Sequence, residues 1–546
     1  MALSATTLVG GLELDDLFHA LHTGEPGFLG SAFTFFGEGP RPAHVGAEDL
    51  PWWTEPGMRL DLFRPLAAVT HWLDHAAWPG VAWVMHLHSL LWYGLLVAAV
   101  HRAYLALGGE PRRAALAALV FGLSQAHAMN VGWVAARNSL VGASFVAVAI
   151  VAHARWRGQR WRPGGVLGPL AFAAALLANE GAVAGVGYLV AYALVLDVRP
   201  RRILSLVPYL AIVVAWRAGY GAAGHGAAHT GIYLEPLAEP IVYIGRTLVH
   251  ATAMLGARLG VAGLDGLGAV PGGYVIACGF GLPFVAAVVW VLRGRLREDR
   301  PLAAWAFGMV LACATAGSSV PTDRGLLLLG MGGGIVIAEL VLGGRRIIKT
   351  PGARWLGRAL SIVHLGLSPL LLPARVLTTP MLQARIDEIG AAFPDDAGVE
   401  ARAVVLLNAP TDLVMFYSRA QAQLEGRRFP GRVSHLYAGN GTLTVTRVGP
   451  QVLELAGDRP WLAAPLDRMF RATVVFSIGE RFHAPCTTTE ILEIDRARLP
   501  RRVRVHVHAE RPGCAPIYMA WRDRAPEPIE LPELGASMRL APVSLP

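Results

Sequence analysis

VLGPLAFAAALLANEGAVAGVGYLVAYALVLD, residues 166–197, is apolar throughout except for Asn179–Glu180 at its middle and Asp197 at its close. It lies between two arginine-rich loops, RWRGQRWR (155–162) and RPRR (199–202). Short loops rich in Arg and Lys are retained on the cytoplasmic side of a membrane. With both flanks on that side, the chain between them crosses an even number of times. The stretch therefore reads as a helical hairpin with its tip near Asn179–Glu180, and its arms are so short that protein must shield their ends.

Working outward, the whole chain fits a lipid environment. It is 54% hydrophobic and 16% charged, with mean hydropathy +0.44, against roughly 25% charge in soluble domains. Further apolar runs read approximately 81–107, 114–134, 138–154, 203–221, 274–292, 302–320, 325–343 and 355–373. The remaining basic loops are Arg112–Arg113, RGRLREDR (293–300) and RRIIK (345–349), the last holding the single lysine, Lys349. The net charge of +9 thus follows the positive-inside pattern and does not point to nucleic acid. The arginine, alanine and glycine bias suits a bacterial source, and hence an inner (plasma) membrane.

The same parity test keeps 241–262 from being an ordinary span. With Arg246, His250 and Arg258 inside it, this segment reads as amphipathic or re-entrant at the outer surface. The expectation is a multi-pass helical protein with ten crossings, or eleven with a complete first helix. The apolar start before Asp15 is too short to span alone. Residues 12–80, a first outer loop with Trp52–Trp53, suit a surface-lying segment. The expected organisation is a transmembrane domain over 1–373, a linker over 374–399 and an outer β-rich α/β domain over 400–546. There VVLLNAP (404–410) reads as a strand and LVMFYSRAQAQL (413–424) as a helix. TLTVTRV, ATVVFSI, EILEI and RRVRVHVHA alternate as strands, and Asn440–Gly441 reads as a hairpin turn. Of four cysteines, Cys278 and Cys313 lie in apolar runs. Cys486 and Cys514 lie in the outer domain, where a disulfide is permitted outside the cytoplasm.

Ionisable groups at membrane depth are expensive and mark sites. Asp15, Asp16, Arg64, His127, Arg137, Glu180, Arg217, Asp323 and Arg324 all fall at the outer boundary by a charge count that did not use them. Each has a plain alternative. Asp15 and Asp16 suit a helix start, Arg64 suits snorkelling to headgroups, and Asp323 and Arg324 suit pairing with each other. Taken together they read as an outer site mixing acids with arginines. His71, Asp74 and His75 with His86 and His88 form a weaker metal-binding pattern; nothing requires a metal or cofactor.

The order LDD, FRPL, HAMNVGWVAARNSLVGA, LLANEGA and PTDRGLLLLG resembles the motif order of GT-C-type glycosyltransferases. The likeness is to the membrane part of protein O-mannosyltransferases, including the tetratricopeptide-repeat-containing kind, without the repeats. It covers roughly residues 12–345. The resemblance implies a glycosyltransferase that takes a sugar from a polyprenyl-phosphate donor and gives it, with inversion, to a protein or glycan acceptor on the outer side. It also implies Asp16 or Asp15 as catalytic base, and Arg137 and Arg324 near the carrier phosphate. The other polar residues would line the substrate site, with the lipid tail between helices. The competing readings are a lipid-linked glycan polymerase or ligase, a transporter or flippase, and an inactive membrane scaffold.

Overall fold

A computed structural model describes residues 2–37, 44–46, 49–260, 263–343, 351–439 and 441–543. The basic loop 345–349, with Lys349, and the Asn440 half of the expected turn lie outside the described residues. After a 3-10 helix at Ala2–Val9, α1 (Asp15–His22), β1 (Thr34–Phe36) and β2 (Arg59–Asp61) build the first loop, which ends in α2 (Pro65–Ala77). The bundle follows as α3 (Ala82–Ala106), α4 (Pro111–Gly122), α5 (Ala128–Gly132), α6 (Arg137–Gln159), α7 (Gly164–Ala178) and α8 (Val186–Ala191). Then come α9 (Val207–Ala222), β3 (Gly226–Ala228), α10 (Pro240–Leu259), α11 (Gly273–Glu298), α12 (Arg300–Ala312) and α13 (Leu326–Leu342).

Among the described residues six helices are long and apolar enough to cross a membrane, and a seventh candidate is the bent pair Pro111–Gly122 and Gln125–Gly132. Three shorter apolar helices, Gly164–Ala178, Glu180–Leu196 and Arg300–Thr315, complete the ten segments expected. Helices α6 and α13 are central and largely buried, whereas α9 and α11 present most of their apolar residues outward. The hairpin breaks where the sequence placed its tip. Asn179 is extended, and its side chain accepts the Gly181 N–H at 2.7 Å. Its arms part, α7 packing on α6 and α8 on α12. The second contact is close because Gly187 lies against the Leu311–Ala312 backbone and Gly308 against Tyr188, small residues letting apolar helices approach.

The run LLLLGMGGG at the start of α13 has the same logic. A Cβ at Gly330 would meet His127, at Gly333 Arg258 and at Gly334 Tyr104. Helix α10 meets the outer ends of its neighbours. His250 Nδ1 hydrogen-bonds Ala316 O, Arg258 donates to Ser124 Oγ at 2.7 Å, and just beyond the helix Gly263 N–H donates to Asp323.

Helices α14 (Pro351–Ser361), α15 (Ser368–Val376) and α16 (Thr378–Ala391) run on as one long helical stretch, so the expected linker is mostly helix. The C-terminal domain, called outer for its expected side, has β4 (Arg402–Leu406), α17 (Leu413–Leu424) and β5 (Arg432–His435) as a parallel βαβ unit. Next come β6 (Leu443–Gly449), β7 (Val452–Gly457), β8 (Arg481–His483), β9 (Thr487–Ile494), β10 (Pro500–Val507), β11 (Ala515–Arg522), β12 (Ala525–Pro528) and β13 (Ser537–Leu540). They form a four-stranded sheet, β12-β11-β4-β5, and a six-stranded antiparallel sheet, β13-β6-β7-β10-β9-β8. Two local expectations fail here. ATVVFSI is extended without strand pairing, and β5 and β6, expected as a hairpin, belong to different sheets. Cys486 and Cys514 form a disulfide with Cα atoms 5.3 Å apart.

The first loop is not a membrane-surface segment. Residues 17–68 share one hydrophobic core with the outer domain. Trp52 and Trp53 are buried there, and both Trp52 and Trp461 donate their indole N–H to Leu436 O. An unsatisfied backbone carbonyl offers what a tryptophan otherwise seeks at the lipid boundary. In this part of the chain the exposed tryptophans are instead Trp72, Trp78 and Trp83, at and after α2.

Candidate functional site

A cavity of about 600 Å³ opens among α6–α9, α10 and the turns before α13. Helix α9 packs mainly on α7, so the α10 side of the cavity is a cleft. It is flanked by exposed apolar residues such as Leu210 and Val214 on α9 and Ile241 and Ile244 on α10. The roof is a short antiparallel contact, Tyr233 against Ser319, with Leu234 N–H donating to Ser318 O at 2.9 Å. The outer domain holds this roof: Gly231 N–H donates to Arg468 O at 2.8 Å.

Of the residues singled out in the sequence, Arg64, Glu180, Arg217 and Arg324 line the cavity. Arg64 grips Glu180 in a two-point ion pair, Nε to Oε2 at 2.8 Å and Nη2 to Oε1. Arg217 and Glu235 pair at the rim, 2.6 Å apart and nearly half exposed. Arg324 differs: among the described residues its guanidinium meets no carboxylate and instead lies 5.3 Å from the centre of the Trp133 ring. Asp323, for which pairing with Arg324 was the plain alternative, pairs with Arg375 at 2.7 Å and accepts the Gly263 and Leu264 N–H groups. Arg324 is therefore the unpaired cation of the cavity wall.

The two acids of LDD have separate fates. Asp16 is buried and both its oxygens are engaged, accepting Ala135 N–H at 2.6 Å and Glu13 N–H at 3.1 Å. Asp15 is only half-buried, and one oxygen accepts the Tyr417 hydroxyl at 2.8 Å. Burial raises the Asp15 carboxyl to about 6 against the lowering effects of Tyr417, Arg324 and Arg64. Asp15 thus stands behind the lining, within the field of Arg324 and Arg64. Burial, with the Asp15 charge adding, pushes Asp16 to about 8 despite its backbone hydrogen bonds.

Arg137 and His127 lie away from the lining. Arg137 is fully buried, paired with Asp74 at 2.5 Å, and donates to Ser89 Oγ, to Met85 O and to Thr70 O. Asp74 also holds His88 Nδ1 at 2.7 Å. His127 is buried against Phe121, its Nδ1 on Tyr93. The His71–His88 pattern does not converge. His71 stacks on His19, while Asp74 and His88 serve Arg137. Among the described residues no three metal-ligating side chains gather.

Several site residues carry no signal in the sequence. Tyr233, Tyr417 and Gln383 sit in unremarkable contexts, and Glu13 was read as part of an apolar start. Glu13 is buried, and its carboxyl is raised to about 9, by burial first and the Asp16 charge second, against the lowering effect of a hydrogen bond with Thr379.

No protein-family model matches the chain, and no curated protein matches it. Among solved structures it is similar to ArnT from Cupriavidus metallidurans in the apo state, at 15% identity over 79% of this chain and 87% of that one, TM-score 0.37. The same protein bound to undecaprenyl phosphate gives 15% identity over 75% and 88%, TM-score 0.32. The apo oligosaccharyltransferase of Archaeoglobus fulgidus gives 11% over 78% and 60%, TM-score 0.40.

Proposed function

We propose that the chain is a GT-C-type glycosyltransferase that moves a sugar from a polyprenyl-phosphate carrier to a protein or glycan acceptor, with Asp15 as base. The observation that carries this reading is the unpaired Arg324 on the wall of a cavity whose open side is flanked by apolar helix faces, with Asp15 behind the lining and within the field of that charge. The carrier phosphate sits at Arg324, where a guanidinium gives paired, charge-assisted hydrogen bonds, and the prenyl chain leaves through the α9–α10 cleft. Arg64 and Glu180, already neutralised by each other, present hydrogen-bonding edges to the sugar.

In the transfer, Asp15 takes the acceptor hydroxyl proton as that oxygen attacks the anomeric carbon. The bond from the anomeric carbon to phosphate breaks on the opposite face, so configuration inverts. The charge left on the polyprenyl phosphate is stabilised by Arg324, a contact worth several kcal/mol in a water-poor site. Asp15 is preferred over Asp16 because both Asp16 oxygens are already held by backbone N–H groups, and a carboxyl raised to about 8 carries its proton at neutral pH and so is no base there. The Cys486–Cys514 disulfide and the basic loops at the other end support placing site and outer domain outside the cytoplasm of a bacterial inner membrane.

The test is native mass spectrometry of the full-length protein in mild detergent. A co-purified or added polyprenyl-phosphate sugar is expected to bind, to be lost in Arg324→Ala and to be retained in Asp15→Asn. Binding of ordinary phospholipid only, with the donor supplied, would sink the reading.

A further inference from the structure

The carboxylate on which the proposed chemistry turns is aimed by a backbone conformation that leucine does not choose. Leu14 sits at φ 53°, ψ −118°, a region that glycine enters at little cost and a side chain does not. Such a residue stays put only when its surroundings over-determine it. Here the Leu14 N–H donates to Gln383 Oε1 at 2.8 Å, and its side chain is buried with Trp133, Ala136 and Ile386. Gln383 is itself buried, and its amide nitrogen is engaged by Asp387 at 2.7 Å, which fixes where the carbonyl oxygen points.

One residue on, the Tyr417 hydroxyl donates to Asp15 Oδ1, and the same ring packs 5.7 Å from that of Phe18. Gln383 lies on α16 and Tyr417 on α17, and these two helices pack on each other. Two helices from the far end of the chain therefore grip Leu14 and Asp15 from two directions.

We propose that Gln383 and Tyr417 are positioning residues for Asp15, so that the C-terminal region sets where the base points and when it loses its proton. This rests on the transferase reading. The groups that bear on the Asp15 carboxyl are few. Tyr417, Arg324 and Arg64 favour its ionised form. The Asp16 carboxylate lies beside it with Glu13 behind, and Tyr233 feels its charge from the cavity roof.

The experiment compares full-length wild type with Gln383→Ala, Leu14→Gly, their combination, and Tyr417→Phe, which keeps the ring packing. Gln383→Ala is expected to lower kcat on the order of 10- to 100-fold, with the donor KM unchanged, as slight misaiming of a catalytic group does. Adding Leu14→Gly is expected to restore most of that loss, because glycine holds the turn without the hydrogen bond. Tyr417→Phe removes a donor to the ionised carboxylate, so the acid limb of the pH–rate profile moves up by about one pH unit. Losses that multiply in the double variant, or an acid limb that stays in place, overturn the proposal. The infrared titration of the Asp15 carboxyl, isolated by difference against Asp15→Asn, needs no turnover. If wild type transfers no sugar the transferase reading falls. An upward shift of that titration in Tyr417→Phe then still supports the positioning, and an unmoved midpoint refutes it.

Discussion

Two arginines of this protein, Arg137 and Arg324, lie in neighbouring turns at one end of the bundle and lead opposite lives. Arg137 is fully buried and saturated: Asp74 neutralises it, and Ser89 Oγ with the Met85 and Thr70 carbonyls takes up its remaining donors. Arg324 is half-buried, on a cavity wall, with an aromatic face for company and no carboxylate among the described residues. The acids divide likewise, with Asp16 capped by two backbone N–H groups and Asp15 held by the Tyr417 hydroxyl within the field of Arg324 and Arg64. In lipid surroundings a charge is kept only if it is paired or used. What separates scaffold from chemistry is therefore the number of donors or acceptors left open.

The largest expected effect breaks the acid pair apart. Asp15→Asn should lower sugar transfer ~10²- to 10⁴-fold, the range for loss of a general base, with normal yield and donor binding. Transfer rates in detergent or nanodiscs check this. A comparable loss in Asp16→Asn with the fold intact would reverse the assignment. Next comes Arg137→Met. It strands Asp74 in the bundle, and removing one partner of a buried pair costs about 3–5 kcal/mol. The expected outcome is poor yield and early thermal unfolding. A well-folded but inactive protein would instead place Arg137 in the chemistry.

Arg324→Gln removes the open cation and leaves the fold alone. Donor binding should weaken roughly 10- to 100-fold, equivalent to a lost charge-assisted contact of about 1.5–3 kcal/mol, measured by competition with unlabelled carrier. The sealed acids give a pH signature of opposite kind. Glu13 and Asp16 have carboxyls raised to about 9 and about 8 in the fold, by burial first in both. A raised folded pKa means stability that is complete below the unfolded value and lost as pH rises through the folded one. Thermal stability should fall between about pH 5 and pH 9. Glu13→Gln should flatten part of that fall, gaining about 1 kcal/mol or more at the alkaline end.

Much of this was legible. The hairpin tip at Asn179–Glu180 follows from charge parity, because basic loops and apolar lengths are counted along the chain. Arg64, Glu180, Arg217 and Arg324 were placed together for the same reason. Saturation was not legible, since it depends on contacts between distant residues. Nothing near HAMNVGWVAARNSL announces that Asp74 waits for Arg137, nor does LDD reveal that Gln383 and Tyr417 approach it. The Trp52–Trp53 pair misled because tryptophan serves a lipid boundary and a buried carbonyl equally well.

The smallest effect is expected at the rim, and it tests whether lining a cavity is enough. Arg217 lines the cavity just as Arg324 does, but it is paired with Glu235 and nearly half of each side chain is in solvent. An exposed pair contributes about 0–1 kcal/mol, and its charge is already answered before any ligand arrives. Arg217→Ala should therefore change donor affinity less than about threefold, corresponding to under ~1 kcal/mol. Its apparent effect should shrink further at high salt, where surface charges are screened. A loss as large as that of Arg324→Gln would mean that the rim pair opens on binding and that Arg217 turns inward to the phosphate. In that case position, more than pairing in the empty site, would decide which arginine acts.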